Sequence, residues 1–289
     1  MKIRVIHVFR EKVEYVLTTE CVYNVTNVEI RILRAVVIFL KLISWQTIII
    51  IALSCIATYL SLRYDVAVDL PTALIGIAIV FPIVFSINAA YRRREEALGH
   101  FASLKSNAVA LYYAHRDWIP QENRDHSIRI KQLIERLLKT VHSCLTSRKD
   151  HDAHFKNIFS IFSEISGSLE KLRDAGVSSS EISRLNQYLR SIMIDFEWMR
   201  NIYLYRTPTS LRGYSHVFLN SFPILFAPYF AYLSNQYFYG TGYFVAVFYA
   251  LVLVSLDNIQ EDLENPYDRI GEDDLNLDIA DYYSAILAD

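Results

Sequence analysis

The chain has 289 residues, of which 53% are hydrophobic, and its formal net charge is −2 at neutral pH. Without an excess of positive charge, it is not predicted to bind nucleic acid in general. Its three cysteines, Cys21, Cys55 and Cys144, cannot all pair with one another and lack metal-ligand spacing. The sequence therefore predicts neither a disulfide framework nor a cysteine metal site.

Four hydrophobic segments cover residues 35–60, 70–91, 216–236 and 241–256. The first contains one Lys, Lys41, and the other three contain no Asp, Glu, Lys or Arg. A helix needs about 20 apolar residues to cross a bilayer, and a soluble core rarely holds four such stretches. The segments predict an all-α integral membrane protein with four transmembrane helices, which makes the lipid bilayer its first partner.

The distribution of basic residues predicts the orientation of these helices. The short links after the first and third segments contain almost no Lys or Arg, whereas residues 92–215 and the N-terminal stretch are rich in both. Because positive charge favours the cytoplasmic side, both termini and residues 92–215 are predicted to be cytoplasmic. The run Arg92–Arg94, directly after the second segment, is typical of a stop-transfer signal. The sequence does not indicate which membrane holds the protein.

The second segment has an apolar stripe. Ile77, Phe81 and Phe85 recur every four residues and so lie on one face of a helix, with Pro82 inside that helix. Such a stripe faces lipid or a neighbouring helix in most membrane proteins. Several copies around an axis would instead form a hydrophobic constriction that gates by dewetting.

The middle of the chain has helical periodicity. Residues 128–145, 154–172 and 181–205 each place apolar side chains on one face and charged ones opposite. Gly176 stands where a helix cap is expected. These segments predict a cytoplasmic helical bundle that extends the membrane helices, in one continuous domain over residues 1–289.

The stretch after the fourth segment is acidic. Residues 257–289 include nine Asp and Glu side chains up to Asp278. Oxygen ligands at this density could hold Ca²⁺, although the spacing is not that of an EF-hand. A solvated acidic tail is the alternative.

No motif points to catalysis. The chain has no Gly-rich phosphate loop, no H-E-x-x-H pattern and no G-x-S-x-G turn, so it is not predicted to be an enzyme or to require a cofactor.

Several motifs resemble those of the bestrophin family of ion channels, especially its non-animal branches. Residues 263–267 (LENPY), followed by 271–278 (GEDDLNLD), resemble the family's Asn-Pro-aromatic motif and acidic run. Residues 85–91 (FSINAAY) resemble the family stretch F-R-N-x-A-S-Y. Residues 207–208 (TP) resemble the start of T-P-I-P. The chain departs from the family at residues 92–95 (RRRE), where the family has Asp-Arg-Trp-Trp, and at an insertion of residues 268–270 relative to the animal form.

The resemblance implies a bestrophin-like homopentamer with one axial pore that passes small monovalent ions passively. Its neck would be lined by Ile77, Phe81 and Phe85. Most characterised members conduct anions such as chloride, which is the expectation here. A cation-selective channel, or a non-conducting scaffold that binds a partner through its cytoplasmic helices, are the alternatives.

The resemblance also implies two further sites. Animal members bind Ca²⁺ in the acidic run, and the matching residues here are Asn265, Asp273, Asp274 and Asp278. The family's cytoplasmic aperture corresponds to the region of Ser180 and Ile182.

Overall fold

The computed structural model describes residues 44–118, 125–147, 151–205, 209–269 and 274–287. These residues form helices and no strand, which confirms the all-α prediction. The helices are α1 (Trp45–Arg63), α2 (Thr72–Asp117), α3 (Asp125–Thr146), α4 (His151–Asp174), α5 (Ser179–Leu204), α6 (Thr209–Leu225), α7 (Ala227–Gln236), α8 (Thr241–Glu264) and α9 (Ala280–Ile286).

Four helical stretches are long and apolar enough to cross a membrane: Trp45–Arg63, Ile75–Asp117, Arg212–Gln236 and Thr241–Glu264. They coincide with the four predicted segments, of which residues 35–43 lie outside the described part. The protein is therefore an integral membrane protein that crosses the bilayer several times.

The second predicted segment does not end at residue 91, because α2 continues without a break to Asp117. Its 46 residues span about 69 Å at 1.5 Å per residue. That is more than twice the roughly 30 Å of the hydrocarbon core, so α2 must leave the membrane as one helix. Arg, Glu and Ala are good helix formers, and they carry the helix through Arg92–Arg94 into the polar region.

The third and fourth predicted segments also differ in their bounds. The third is two helices, α6 and α7, which meet at Phe226. Pro228 stands in the first turn of α7 and Pro223 lies inside α6, and neither has an N–H for the helix ladder. The fourth, predicted to end at residue 256, runs to Glu264 because the polar residues after Asp257 continue its helical pattern.

Of the described residues, 44–70 and 219–258 form one compact unit, and 71–218 with 259–287 form another. Helices α6 and α8 contribute residues to both. A single domain over residues 1–289 stays a prediction.

In the first unit, α1 turns its small polar side chains inward. Thr47, Ser54 and Thr58 are buried, and the Ser54 hydroxyl donates to the carbonyl oxygen of Pro223 at 2.7 Å. The apolar side chains of α1, such as Ile48 and Ile56, are exposed. This inverted pattern is typical of helices that pack through small residues and face lipid with large ones.

The second unit has a continuous hydrophobic core. The predicted stripe of α3 is buried, and it packs against α2 and α4, while α5 packs against α2 and α4. Ser178 caps α5 by accepting a hydrogen bond from the N–H of Glu181 at 3.4 Å. Gly176 has φ +90°, as the predicted cap requires. The predicted cytoplasmic helices thus form a bundle.

Candidate functional site

The predicted neck stripe is exposed on α2. Ile77, Phe81 and Phe85 are 66%, 64% and 54% exposed, whereas Ile83 and Ala90 on the opposite face are buried. Exposure of three large apolar side chains in line costs free energy in water. The face must therefore meet lipid, another helix or a dewetted passage.

An open groove of about 530 Å³ runs along this face. It is lined by Thr72, Gly76, Ile77, Val80, Phe81, Val84 and Phe85. The rings of Phe81 and Phe85 meet edge to face, with their centroids 4.6 Å apart. This contact holds the two rings on the same side of the helix.

Pro82 lies between the stripe residues inside α2. It has no N–H to donate to the carbonyl of residue 78, so the helix lacks one hydrogen bond at the level of Phe81. This is the point of α2 at which a bend is least costly.

Contacts of Arg93 and His100 attach α2 to α5. The Arg93 guanidinium donates to the carbonyl oxygen of Ile202 at 2.6 Å. His100 Nδ1 lies 2.9 Å from a carboxylate oxygen of the buried Asp195, and the imidazole stacks on Trp198 with centroids 5.3 Å apart. These contacts fix the rotation of α2 about its own axis, and hence the direction in which the stripe points. Their partners are about a hundred residues apart in sequence, so no local spacing could have indicated them.

The Asn-Pro-aromatic motif anchors the chain after α8. The Tyr267 side chain is fully buried, and its hydroxyl donates to the carbonyl oxygen of Met199 at 3.3 Å. Burial raises the pKa of this phenol, which therefore stays neutral and acts as a hydrogen-bond donor. Leu275 donates its N–H to the carbonyl oxygen of Pro266 at 2.8 Å, and Leu277 is buried. The described part of the acidic stretch is thus anchored to the bundle by buried side chains, while carboxylates such as that of Asp278 stay exposed.

The structure gives two of the predicted calcium ligands other partners. The Asn265 amide donates to the Asp268 carboxylate at 2.8 Å, and Asp278 lies 3.8 Å from the Arg269 guanidinium. Among the residues that the structure describes, no group of three or more Asp, Glu, His or Cys side chains could hold a metal ion. Asp273, another predicted ligand, lies outside the described residues, so calcium binding stays a prediction.

The predicted aperture residues stand in the first turn of α5. Ser180 is exposed, whereas Ile182 is buried because it begins the apolar stripe of this helix with Leu185 and Leu189. Only Ser180 of the two presents its side chain at the surface of the subunit.

Solved structures share this arrangement of helices. A crystal structure of a bacterial bestrophin homologue from Klebsiella pneumoniae with a single substitution superposes with a TM-score of 0.68 at 19% identity, over 85% of this chain and 98% of its own. Another structure of a bestrophin homologue from the same organism gives a TM-score of 0.68 at 20% identity, over 84% of this chain and 96% of that one. A structure described as a membrane protein gives 0.69 at 20% identity, over 86% and 97%.

No protein-family model matches the chain, and a search of curated proteins finds no match. The similarity therefore rests on the arrangement of the helices over nearly the whole length of the solved chains. The protein has the fold of the bacterial bestrophin homologues.

Proposed function

We propose that the chain is one subunit of a homopentameric ion channel that passes small monovalent ions passively, anions in preference to cations. Ile77, Phe81 and Phe85 of each subunit would line its neck. The observation that carries the proposal is the exposed apolar stripe of Ile77, Phe81 and Phe85 on α2, in a chain with the bestrophin fold.

In a five-fold arrangement with α2 innermost, the apolar faces of the five chains would line a central pore, which a single chain cannot form. Five copies of each neck residue would form three stacked apolar rings, about 6 Å apart along the helix. Water leaves a narrow apolar passage easily, so such rings close a pore to ions without blocking it sterically. No covalent chemistry, cofactor or energy source is needed for passive conduction.

Ser180 is a candidate for the cytoplasmic aperture of the same pathway. It is exposed at the start of α5, and a hydroxyl can replace part of an ion's hydration shell. Ile182 is not proposed for this role because it belongs to the core of its own subunit.

Electrical recording from the purified protein in a planar bilayer tests the proposal. We expect unitary current steps. In a sodium chloride gradient, the reversal potential should shift from zero toward the equilibrium potential of chloride. Bilayers that receive detergent alone are the control. A shift toward the equilibrium potential of sodium would show that the channel prefers cations. If protein that is confirmed to be reconstituted and oligomeric carries no current, a non-conducting scaffold is favoured instead.

A further inference from the structure

The exposed face of α2 continues beyond the neck with polar side chains. Asn88 and Arg92 follow Phe85 by three and seven residues, close to one and two helical turns, and both are exposed. At about 100° per residue, Arg92 lies within roughly 20° of Phe81 around the helix. The apolar stripe and this arginine therefore share one face.

The three consecutive arginines after the second segment are not equivalent. Arg93 is directed at α5 and donates to the carbonyl oxygen of Ile202. Arg94 forms an ion pair with Glu95. Both also take part in further interactions with the protein, whereas Arg92 is exposed on the face of the neck residues. Of the three arginines in this run, Arg93 and Arg94 thus make contacts inside the subunit, and Arg92 lies on the candidate ion pathway.

We propose that Arg92 determines the sign of ion selectivity, with five copies forming a positively charged ring just beyond the neck. This inference rests on the proposed pentameric channel. The ring would lie about 10 Å along α2 from Phe85, which is comparable to the Debye length of about 8 Å at physiological ionic strength. Its field would therefore reach the neck, where apolar walls exclude the water and salt that screen it elsewhere.

The apolar neck itself cannot determine whether anions or cations are preferred. Ile and Phe side chains carry no charge, so a dewetted passage resists anions and cations alike. An arginine is charged at every physiological pH, and a confined ring of such charges raises the local anion concentration while it lowers that of cations. The proposed division is a gate at the three apolar rings and a charge filter at Arg92.

One opposing charge lies nearby on the same helix. Glu96 is exposed, four residues beyond Arg92 and about 6 Å farther from the neck. It is also turned farther from the stripe, by about 60° from Phe81 against about 20° for Arg92. Because a screened field falls off steeply with distance, the nearer arginine dominates at the neck. Glu95 adds little there because it is paired with Arg94.

Reversal potentials of Arg92 variants in a sodium chloride gradient test the inference. In Arg92→Glu the ratio of chloride to sodium permeability should fall by about tenfold or more, and in Arg92→Gln by less, because charged clefts change local ion concentrations by such factors. Arg92→Lys keeps the charge and should keep the ratio. The effects of Arg92→Glu and Arg92→Gln should be larger at low ionic strength, where screening is weaker, while Arg92→Lys should keep the ratio there too.

Glu96→Gln is the matched control. It removes the opposing charge one turn farther along α2, so the permeability ratio should stay the same or shift slightly toward chloride. Each variant is compared with the wild type by size-exclusion profile, and the uncharged Arg92→Gln keeps the test valid if the charge reversal disturbs assembly.

Two results would overturn the inference, and they are distinguishable. If the wild type conducts and Arg92→Glu and Arg92→Gln leave the permeability ratio unchanged, Arg92 does not face the ion pathway and the channel proposal stands without it. If the reconstituted wild type carries no current, the proposed function fails and the inference fails with it.

Discussion

The proposed neck residues Ile77, Phe81 and Phe85 have apolar side chains that would also suit contact with lipid. Their exposure alone does not separate the two roles, because Ile56 on α1 is 55% exposed and lies on a face that suits lipid. The difference lies in the response to truncation. A lipid-facing side chain can be shortened with little consequence, whereas a gate depends on the size and dryness of its ring.

We expect the triple variant Ile77→Ala, Phe81→Ala and Phe85→Ala to raise open probability or unitary conductance severalfold. Smaller side chains widen the passage and let water fill it. Ion preference should change little, because none of the three carries charge. Recording in planar bilayers measures both quantities, with Ile56→Ala as the control that should conduct like the wild type. A triple variant that also behaves like the wild type would place the stripe against lipid or a neighbouring helix.

Tyr267 is the residue that anchors the end of α8 to the bundle. Tyr267→Ala should destabilise the protein by about 3–5 kcal/mol, because it empties the site of a fully buried aromatic ring. Tyr267→Phe keeps the ring and loses only the hydrogen bond to Met199, so its cost should be about 1 kcal/mol. Thermal unfolding of the purified variants in the same detergent measures the order. Equal melting temperatures for the two variants would show that the hydroxyl, not the ring, is the anchor.

At the scale of whole helices, α7 and α8 approach each other closely at one glycine. A Cβ added to Gly242 would overlap the carbonyl group of Phe230 and the hydroxyl of Ser234. The N–H of Gly242 already donates to that hydroxyl at 3.1 Å. Any larger residue must push the two helices apart.

Gly242→Ala should therefore lower stability by about 1–3 kcal/mol, the usual cost of overpacking. Gly167, on an exposed part of α4, has nothing within 4 Å of an added Cβ. Gly167→Ala should instead stabilise its helix by about 1 kcal/mol, since Ala is the better helix former. Melting temperatures should shift in opposite directions. A Gly242→Ala protein as stable as the wild type would mean that α7 and α8 can separate freely.

Helix existence could be predicted from sequence far better than helix bounds. The stripe of α3 and the four apolar segments could be predicted because each is visible in a short, continuous stretch of sequence. The break at Phe226 depends on how two prolines are placed, and the length of α2 depends on packing against α5. The contacts of Arg93 and His100 join residues about a hundred positions apart, and only the folded chain brings them together. Periodicity predicted that Ile77, Phe81 and Phe85 share one face, but the direction of that face depends on those contacts. The assignment of the stripe to a pore neck rests on the resemblance and stays a prediction.

The acidic stretch after α8 illustrates the same limit. Its charge density predicted either a calcium site or a solvated tail, but Tyr267, Leu275 and Leu277 hold it against the bundle. Three apolar residues among many carboxylates are a weak local signal. They nevertheless determine where the carboxylates lie, because burial of apolar surface decides the path of the chain.

Calcium binding at this stretch is tested by titration calorimetry on the wild type and on Asp273→Ala/Asp274→Ala. If Asp273 completes a site with its neighbours, the wild type should give a saturable heat that the double variant lacks. A variant of the Arg269-paired Asp278, Asp278→Ala, separates a ligand from a structural ion-pair partner, since only a ligand change weakens the titration. No heat in the wild type at millimolar Ca²⁺ would assign the acidic run to packing alone.

At the scale of the whole molecule, the proposals require a closed ring of five chains. Homo-oligomers with a single axis place the same residue of every chain at the same distance from that axis. The distance between equivalent residues of neighbouring subunits is therefore short at a position near the axis and long at a peripheral one. Phe81 is the axial candidate, and Ile56 on α1 is the peripheral one.

Native mass measurement in mild detergent should give a species of about five times the 33.5 kDa chain mass. A short bis-maleimide on Phe81→Cys, in a background without Cys21, Cys55 and Cys144, should link subunits, while the same reagent on Ile56→Cys should not. Each cysteine reacts once, so a ring of five yields dimers and leaves about one chain in five unlinked, whereas a ring of even number can link completely. A monomer or dimer by mass, or equal linking at the two positions, would remove the axis on which the neck and the Arg92 ring depend.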